Sequence, residues 1–456
     1  MYVELFALGC RAIFGQPLSH HFLRTSVKTD FTAATTETSL SSSFFYNEND
    51  PLHFKGKPYR DLLKGAIMTN SKKLRLNSSH GLKLIVIILL LAYSIDAPVQ
   101  AQNASHPPRD WATYPAVVEV DNPPGDIFAV SDPHAHDLRM SYLLQGAGLL
   151  GLSISINDSG GGTSSTSYDW VGGNAVLVVV GDMIDKLPTG SLEVINLLRA
   201  LQKDAARKGG RVIVTMGNHE AEFLAEDGCP DPNKKCKTAD FVRELKAAGM
   251  NPQDVAQCKG DLGQWLCQLP VAAHVGDWFF AHAGYTNNRN IPTINSDIAA
   301  DFALNGFKAD QLVGDQSILE AGLDESGPKD SDGKGLPWVF NGNKNTKPED
   351  TLKQFTQTLG VRHIVQGHKP GNVNFKNGLR RERGDVFHAY GLLFLIDTDM
   401  GTSTGDSKDA VLRIHNTRTP MPPQPNCYWI TTHATVIKKD GSQKQLWQAL
   451  QGNSCL

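Results

Sequence analysis

The chain has 456 residues and a formal net charge of −3, which excludes the basic footprint of a protein held by nucleic acid or an anionic membrane surface. At 40% hydrophobic and 20% charged residues it falls in the range of ordinary soluble globular proteins and outside the disordered class. The length allows one large α/β domain or two or three smaller ones.

Residues 1–67 show neither sustained periodicity nor a motif, and are expected to lie outside the natural protein. At Met68 the pattern changes. Lys72, Lys73, Arg75 and Lys83 form a positive region, Leu84 to Leu91 are purely apolar, and Val99-Gln100-Ala101 offers a small-residue cleavage context. That is the layout of a secretory signal peptide over 68–101, with translation starting at Met68. An uncleaved anchor is the alternative. The apolar run ends at Ile95, short of the ~20 residues that cross a bilayer, so cleavage is expected, leaving no stable membrane span. The product is then secreted or periplasmic. Beyond Ala101 stand Cys229, Cys236, Cys258, Cys267, Cys427 and Cys455, an even number that fits disulfides in an oxidising compartment. Their pairing is open; Cys229–Cys236, Cys258–Cys267 and Cys427–Cys455 close the shortest loops. No C-x-x-C occurs, which speaks against a zinc site among the first four.

Residues 102–126 are rich in proline and polar side chains and read as a linker. From Ile127 short apolar runs ("IFAV", "AVLVVV", "RVIVTM") alternate with helical patterns. In "SLEVINLLRALQKDAARKGG", Val194, Leu197, Leu198, Leu201 and Ala205 share one helical face, and Gly209-Gly210 end it. This alternation predicts an α/β fold, with central sheets in a two-sheet β-sandwich flanked by helices, over 127–456. "NDSGGGTSSTSYDWVGG" reads as a flexible loop; its glycines lack the Lys-Ser/Thr of a phosphate-cradling loop. Residues 221–270 form a cysteine-containing insertion that could cover a site. "LLFLIDTDM" and "AVLRIH" look like buried strands, and "THATVIKKDGSQKQLWQAL" is a hairpin turning at Asp440-Gly441, which adds a second sheet against the first.

Five apolar runs end in groups that can ligate a metal. They lead to Asp132 and His134, to Asp182 with Asp185 close behind, to Asn218 and His219, to His282, and to His368. Singly, an Asp after a strand is a turn or cap residue and a buried His a core residue. Together they lie at one edge, because ligands of open α/β sheets bind beyond the carboxyl ends of the strands. Residues two apart in extended chain point the same way, so Asp132 and His134 can face one ion. His136 falls outside this pattern.

The motifs "DPHAHD", "GDMIDK", "GNHE", "HAG" and "GHKP", in this order, resemble those of calcineurin-like metallophosphoesterases. The resemblance runs from about Ile127 to His415, and within the phosphoprotein phosphatase branch the chain is most similar to Shewanella-like protein phosphatases. It implies that Asp132 and His134 bind one metal, that Asp182 bridges two, and that Asn218, His282 and His368 complete the second. His219 is then the general acid and Asp185 orients it. Two divalent cations (manganese, iron, zinc or magnesium), about 3.5–4 Å apart, would clamp the phosphoryl oxygens and hold the attacking hydroxide between them.

Two departures bear on phosphate recognition. Where the phosphatase branch continues Asp-Arg-Gly, this chain has Asp185-Lys186-Leu187, and Lys186 is either a point charge on phosphate or a solvated surface residue. Phe340 in "PWVFNGN" stands where Shewanella-like relatives carry an Arg, which leaves Arg289 as a substitute by position.

The implied activity is hydrolysis of phosphomonoesters, on phosphoprotein Ser/Thr or Tyr, with a phosphorylated peptide or small molecule as the only partner and no nucleic acid. The alternatives are a phosphodiesterase or nucleotidase on small phosphoesters, disfavoured by Pro370 where G-H-x-H families carry a second His, and an inactive metal-stabilised binding protein. Mass spectrometry of the natural protein should detect no peptide from residues 1–67; finding one contradicts the start at Met68.

Overall fold

Two stacked sheets carry the fold, and the alternation along their strands shows why. The computed structural model describes residues 109–157, 163–231, 235–323, 347–374, 379–402, 407–424 and 426–455. The chain divides into Met1–Ala97 and Pro98–Leu456, of which the first lies wholly outside the described residues, as do the expected signal peptide (68–101) and Phe340.

In chain order come β1 (Val117–Val120), β2 (Ile127–Val130), α1 (Asp137–Gly146), β3 (Leu150–Asn157), β4 (Thr163–Trp170), β5 (Val176–Val180), α2 (Ser191–Arg207), β6 (Arg211–Thr215) and α3 (Asn218–Ala225). A helical insertion follows: α4 (Ala239–Ala247), α5 (Pro252–Ala256) and α6 (Gly260–Cys267). Next are β7 (Ala272–Val275), β8 (Trp278–Ala281), α7 (Ile291–Asn305), α8 (Asp310–Val313), α9 (Pro348–Leu359) and β9 (His363–Gln366). The last strands are β10 (Val373–Asn374), β11 (Arg380–Arg381), β12 (Phe387–Ala389), β13 (Leu393–Leu395), β14 (Ala410–Pro420), β15 (Cys427–Lys438) and β16 (Gln443–Cys455).

One six-stranded sheet runs β16-β15-β14-β2-β5-β6 and the other β1-β7-β8-β9-β13-β12. In the first, β2, β5 and β6 are parallel; in the second, β8 and β9 are. Every residue of β5 ("VLVVV") is buried, the mark of a parallel strand covered on both faces. Val176, Val178 and Val180 join the core between the sheets, with Phe280, Val365 and Ile396. Leu177 and Val179 belong instead to the core that holds Val194, Leu198 and Leu201 of α2. Period-two strands thus place one layer of side chains inside the sandwich and the other under helices.

Three expectations change. The linker contributes β1, which pairs parallel with β7 through Val117 to Val120. Within the segment read as a flexible loop, Thr163–Trp170 forms β4 and pairs antiparallel with β3; serine, threonine and tyrosine favour extended chain there, and the three consecutive glycines (160–162) fall outside the described residues. The C-terminal hairpin, with the expected turn at Asp440-Gly441, extends the first sheet through β14, because β14 pairs directly with β2. Disulfides close at Cys258–Cys267 and Cys427–Cys455, whereas Cys229 and Cys236 are unbridged. Among the described residues no helix is long and apolar enough to cross a membrane.

Candidate metal centre

Parallel β2, β5 and β6 of one sheet and β8 and β9 of the other end at the same edge of the sandwich, and each delivers a ligand within three residues of its end. Leaving the strands takes sharp turns. Asp132, His134, Asp182, Asp185, Lys186 and His368 all have left-handed backbone, with φ between 39° and 71°. The turns are stitched together: the N–H of Asp132 donates to Gly181 O at 3.2 Å and that of His134 to Asp182 O at 2.9 Å. Gly217 is required by closeness, since a Cβ there would lie 2.2 Å from Asp182 Oδ1.

Two donor groups overlap at Asp182. Ligand atoms of His134, Asp182 and His219 lie within 4.8 Å of one another, as do those of Asp182, His282 and His368. The His282 Nδ1 atom sits 3.0 Å from Val180 O, so Nε2 faces the pocket. His134 repeats this, with Nδ1 3.3 Å from Ile184 O. Both rings are thereby oriented by backbone carbonyls, as metal-binding imidazoles are. Asp132 joins through its carboxylate, 3.8 Å from His134 Nε2, and accepts the His368 N–H at 3.0 Å.

The pocket fits cations. The Asn218 side-chain amide lies among the other donors, with His282 Nε2 at 2.9 Å, His368 Nδ1 at 3.2 Å and the Asp182 carboxylate oxygens at 3.2 and 3.3 Å. Lys186 Nζ comes to 2.5 Å from His134 Nε2, so a positive group is already drawn in. The donors combine carboxylate, amide oxygen and imidazole without thiolate.

Charge balance follows from burial. Burial raises Asp132 to about 6, against the pull of His282. At Asp182 burial also opposes ionisation, yet His282 and His219 hold it well below the usual carboxylate range. For His282 burial works downward, and the Asp182 and Asp132 carboxylates overcome it, lifting the imidazole to about 10. Burial keeps His134 and His368 well below the ordinary histidine value, leaving their lone pairs free.

His219 differs from the others. Its side chain is 16% exposed, against 3% or less for Asp132, His134, Asp182 and His282. It stands at the rim, with Nδ1 3.8 Å from Asp185 and Nε2 3.8 Å from Asp182. Arg289 is engaged elsewhere: it bonds Asp297 at 3.1 Å, Gln311 at 2.6 Å and Thr286 O, and lines a 400 Å³ cavity containing none of the ligands. That leaves Lys186 as the candidate phosphate contact beside the centre. His136 takes the N-cap position of α1, apart from the ligand groups.

Sequence reasoning gave no role to three residues. Glu220 is fully buried, and its carboxylate accepts the N–H groups of Asp182, Met183, Ile184 and Gly217 at 2.8–3.2 Å. The motif "GNHE" contained it, so the signal was present. Arg381, 1% exposed, donates to the carbonyls of Asp385, Lys369 and Asp397, bracing the turn after His368. Asp397 is pushed well above the carboxylate range by burial and by Asp132 beside it. Asp397 follows the apolar run of "LLFLIDTDM" and so carried the same local signal as the ligands, whereas nothing in the local pattern marks Arg381.

Two outcomes follow. Glu220→Ala leaves four buried N–H groups unpaired and should cost at least about 3 kcal/mol and abolish metal retention, read by thermal unfolding and metal analysis. A cation needs the neutral His282 ring, which the apoprotein keeps protonated up to about pH 10. Loading therefore expels that proton, and affinity should rise about tenfold per pH unit between about pH 6.5 and 8.5. Calorimetry in buffers of different ionisation enthalpy tests this; a buffer-independent heat contradicts it.

Comparison with known proteins agrees with this geometry. The Calcineurin-like phosphoesterase family matches residues 126–372. Shewanella-like protein phosphatase 1 of Plasmodium berghei is 35% identical over 167 residues, 35% of this chain and 39% of that protein. Shewanella-like protein phosphatase 2 of Arabidopsis thaliana is 36% identical over 66 residues, 14% of this chain and 17% of that protein. The chain thus spans about two fifths of the first relative's length and less of the second's. A cold-active protein-tyrosine phosphatase from a psychrophilic Shewanella species is similar in structure, with a TM-score of 0.47, 18% identity, and coverage of 73% of this chain and 82% of that one. With more than half its residues matched and the motif ligands gathered at one sheet edge, the chain belongs to the calcineurin-like phosphoesterase family.

Proposed function

We propose that the protein is an exported, dimetal phosphomonoesterase that removes phosphate from phosphoserine, phosphothreonine or phosphotyrosine in proteins. One observation carries the reading: two groups of ligand atoms, those of His134 and His219 and those of His282 and His368, share Asp182. The names of the curated relatives, protein phosphatases, support the substrate class. The disulfides Cys258–Cys267 and Cys427–Cys455 support export to an oxidising compartment.

Bound there, two divalent cations (manganese, iron, zinc or magnesium) would supply a nucleophile from water near neutral pH and offset the charge of the phosphoryl oxygens. Asp132 and His134 would hold one, Asn218, His282 and His368 the other, and Asp182 would serve both. His219 acts from the rim, where it is accessible to substrate. Its Nδ1 faces Asp185, leaving Nε2 to deliver a proton to the departing ester oxygen. Asp185 is fixed for this by the Asp240 N–H at 3.0 Å, so the carboxylate can orient the ring. Lys186 neutralises the incoming phosphate as a point charge, without the bidentate geometry an arginine offers.

His219→Ala should lower kcat on a phosphopeptide by about 10²–10⁴-fold with metal content unchanged. The wild-type enzyme should cleave the phosphopeptide faster than bis-p-nitrophenyl phosphate. Faster diester cleavage would instead establish the diesterase reading, and unchanged activity in His219→Ala removes the acid.

A further inference from the structure

Among the described residues, one cluster of nucleophilic side chains lies outside the metal centre. The sulfurs of Cys229 and Cys236 and a carboxylate oxygen of Glu226 lie within 4.8 Å of one another. The other four cysteines of the mature chain are bridged, whereas these two are thiols. Both are only partly buried, so a reagent can reach them. The chain brings them together by a turn with three consecutive left-handed residues, Asp227, Gly228 and Cys229, at φ 52°, 67° and 58°. Glu226 holds the facing strand of chain, accepting from Cys236 Sγ at 3.6 Å and from the Lys237 N–H at 3.3 Å.

What this cluster joins gives it meaning. Cys229 lies just beyond the C-terminal end of α3, the helix whose first two residues are the ligand Asn218 and the acid His219. Cys236 leads into α4. That helix braces the Asp185 loop twice. The Asp240 N–H donates to Asp185 Oδ1, and the Glu244 carboxylate accepts the N–H groups of Gly190, Ser191 and Leu192 at 3.0–3.1 Å, where the Ser191 hydroxyl in turn accepts from Asp185 N. His219 and the carboxylate that orients it are thus carried on two helices with the cysteine pair at their junction.

We propose that Cys229 and Cys236 are a dithiol site for disulfide exchange, and that closing it as a third bridge raises turnover by fixing α4 and hence Asp185 against His219. Asp185 is the positioning residue through which the bridge acts. The oxidant is a small-molecule or protein disulfide. One cysteine thiolate attacks a sulfur of that disulfide, forming a mixed disulfide and releasing one thiol. The second cysteine then displaces the remaining half, so two protein thiols give up two electrons and two protons while the reagent leaves as two thiols. Burial and then the contact with Cys229 push the Cys236 thiol up to about 12, so Cys236 rests as a thiol until exchange begins. The sulfurs must close from within 4.8 Å to the ~2.05 Å of a disulfide.

The bridge itself is independent of the phosphatase reading; its effect on turnover rests on it. The test uses the metal-loaded full chain incubated with oxidised or reduced glutathione, followed by alkylation and peptide mapping. The expected result is a Cys229–Cys236 cross-link in the oxidised sample alone. Turnover on a phosphopeptide should rise about threefold or more with KM nearly constant, and amide exchange at Asp240 should slow. The double variant Cys229→Ser/Cys236→Ser should show the activity of the reduced enzyme and no response to glutathione.

Two alkylated cysteines after oxidised glutathione overturn the inference, as does a cross-link that leaves turnover and Asp240 exchange unchanged. A further equivalent of zinc, bound by wild type and lost in the double variant, shows a cation site instead and overturns it too. If no form hydrolyses any phosphoester, the functional reading fails, and Asp240 exchange still decides whether the bridge fixes α4.

Discussion

The buried carboxylate of Glu220 is the interaction on which the rest of the site depends. It gathers four backbone N–H groups from two separate strand ends, three following β5 and one following β6. An unpaired carboxylate in that position would be costly, and burial does raise Glu220, with Asp182 adding to the effect. The N–H groups compensate. In return the carboxylate holds Asp182 and the start of α3 at a separation where Asn218 and His282 meet the same carboxylate oxygens. Ligand geometry is therefore inherited from a hydrogen-bond network that touches no metal.

A second constraint is backbone strain. Non-glycine residues in left-handed conformation cost on the order of 1–3 kcal/mol each, and seven of them, Ala135 included, lie in the turns around this centre. They persist because the turns bond one another, as Asp132 to Gly181 and His134 to Asp182. Stability is given up where the ligands must leave extended strands abruptly; the close-packed sandwich beneath, with every residue of β5 buried, makes up the loss.

Ligands were legible in the chain because their signal is local: an apolar run, a turn, then Asp, Asn or His. The strand–helix alternation and the face of α2 were legible for the same reason. What escaped depends on partners far away in sequence. Arg381 reads as one of several basic residues until its guanidinium is seen to bond carbonyls twelve and sixteen residues off. Asp397 carries no mark beyond a place after an apolar run, and its neighbour Asp132 is 265 residues earlier. Strand β4 was hidden by polar composition, since serine and threonine serve loops and exposed strands alike. The order of strands within each sheet was also beyond local pattern: nothing near Ala410 announces that β14 pairs with β2.

That pairing has a consequence for where the protein can be cut. The family match ends at residue 372, yet β2, which carries Asp132 and His134 at its end, is an inner strand only because β14 covers one side of it. Without the ribbon formed by β14, β15 and β16, closed by Cys427–Cys455, β2 becomes a bare margin of apolar chain, open to pairing with another molecule. The ribbon from Ala410 to Cys455 is thus a guard rail for the catalytic half, and a shortened version trimmed to the recognisable motifs would be expected to clump before it could bind anything.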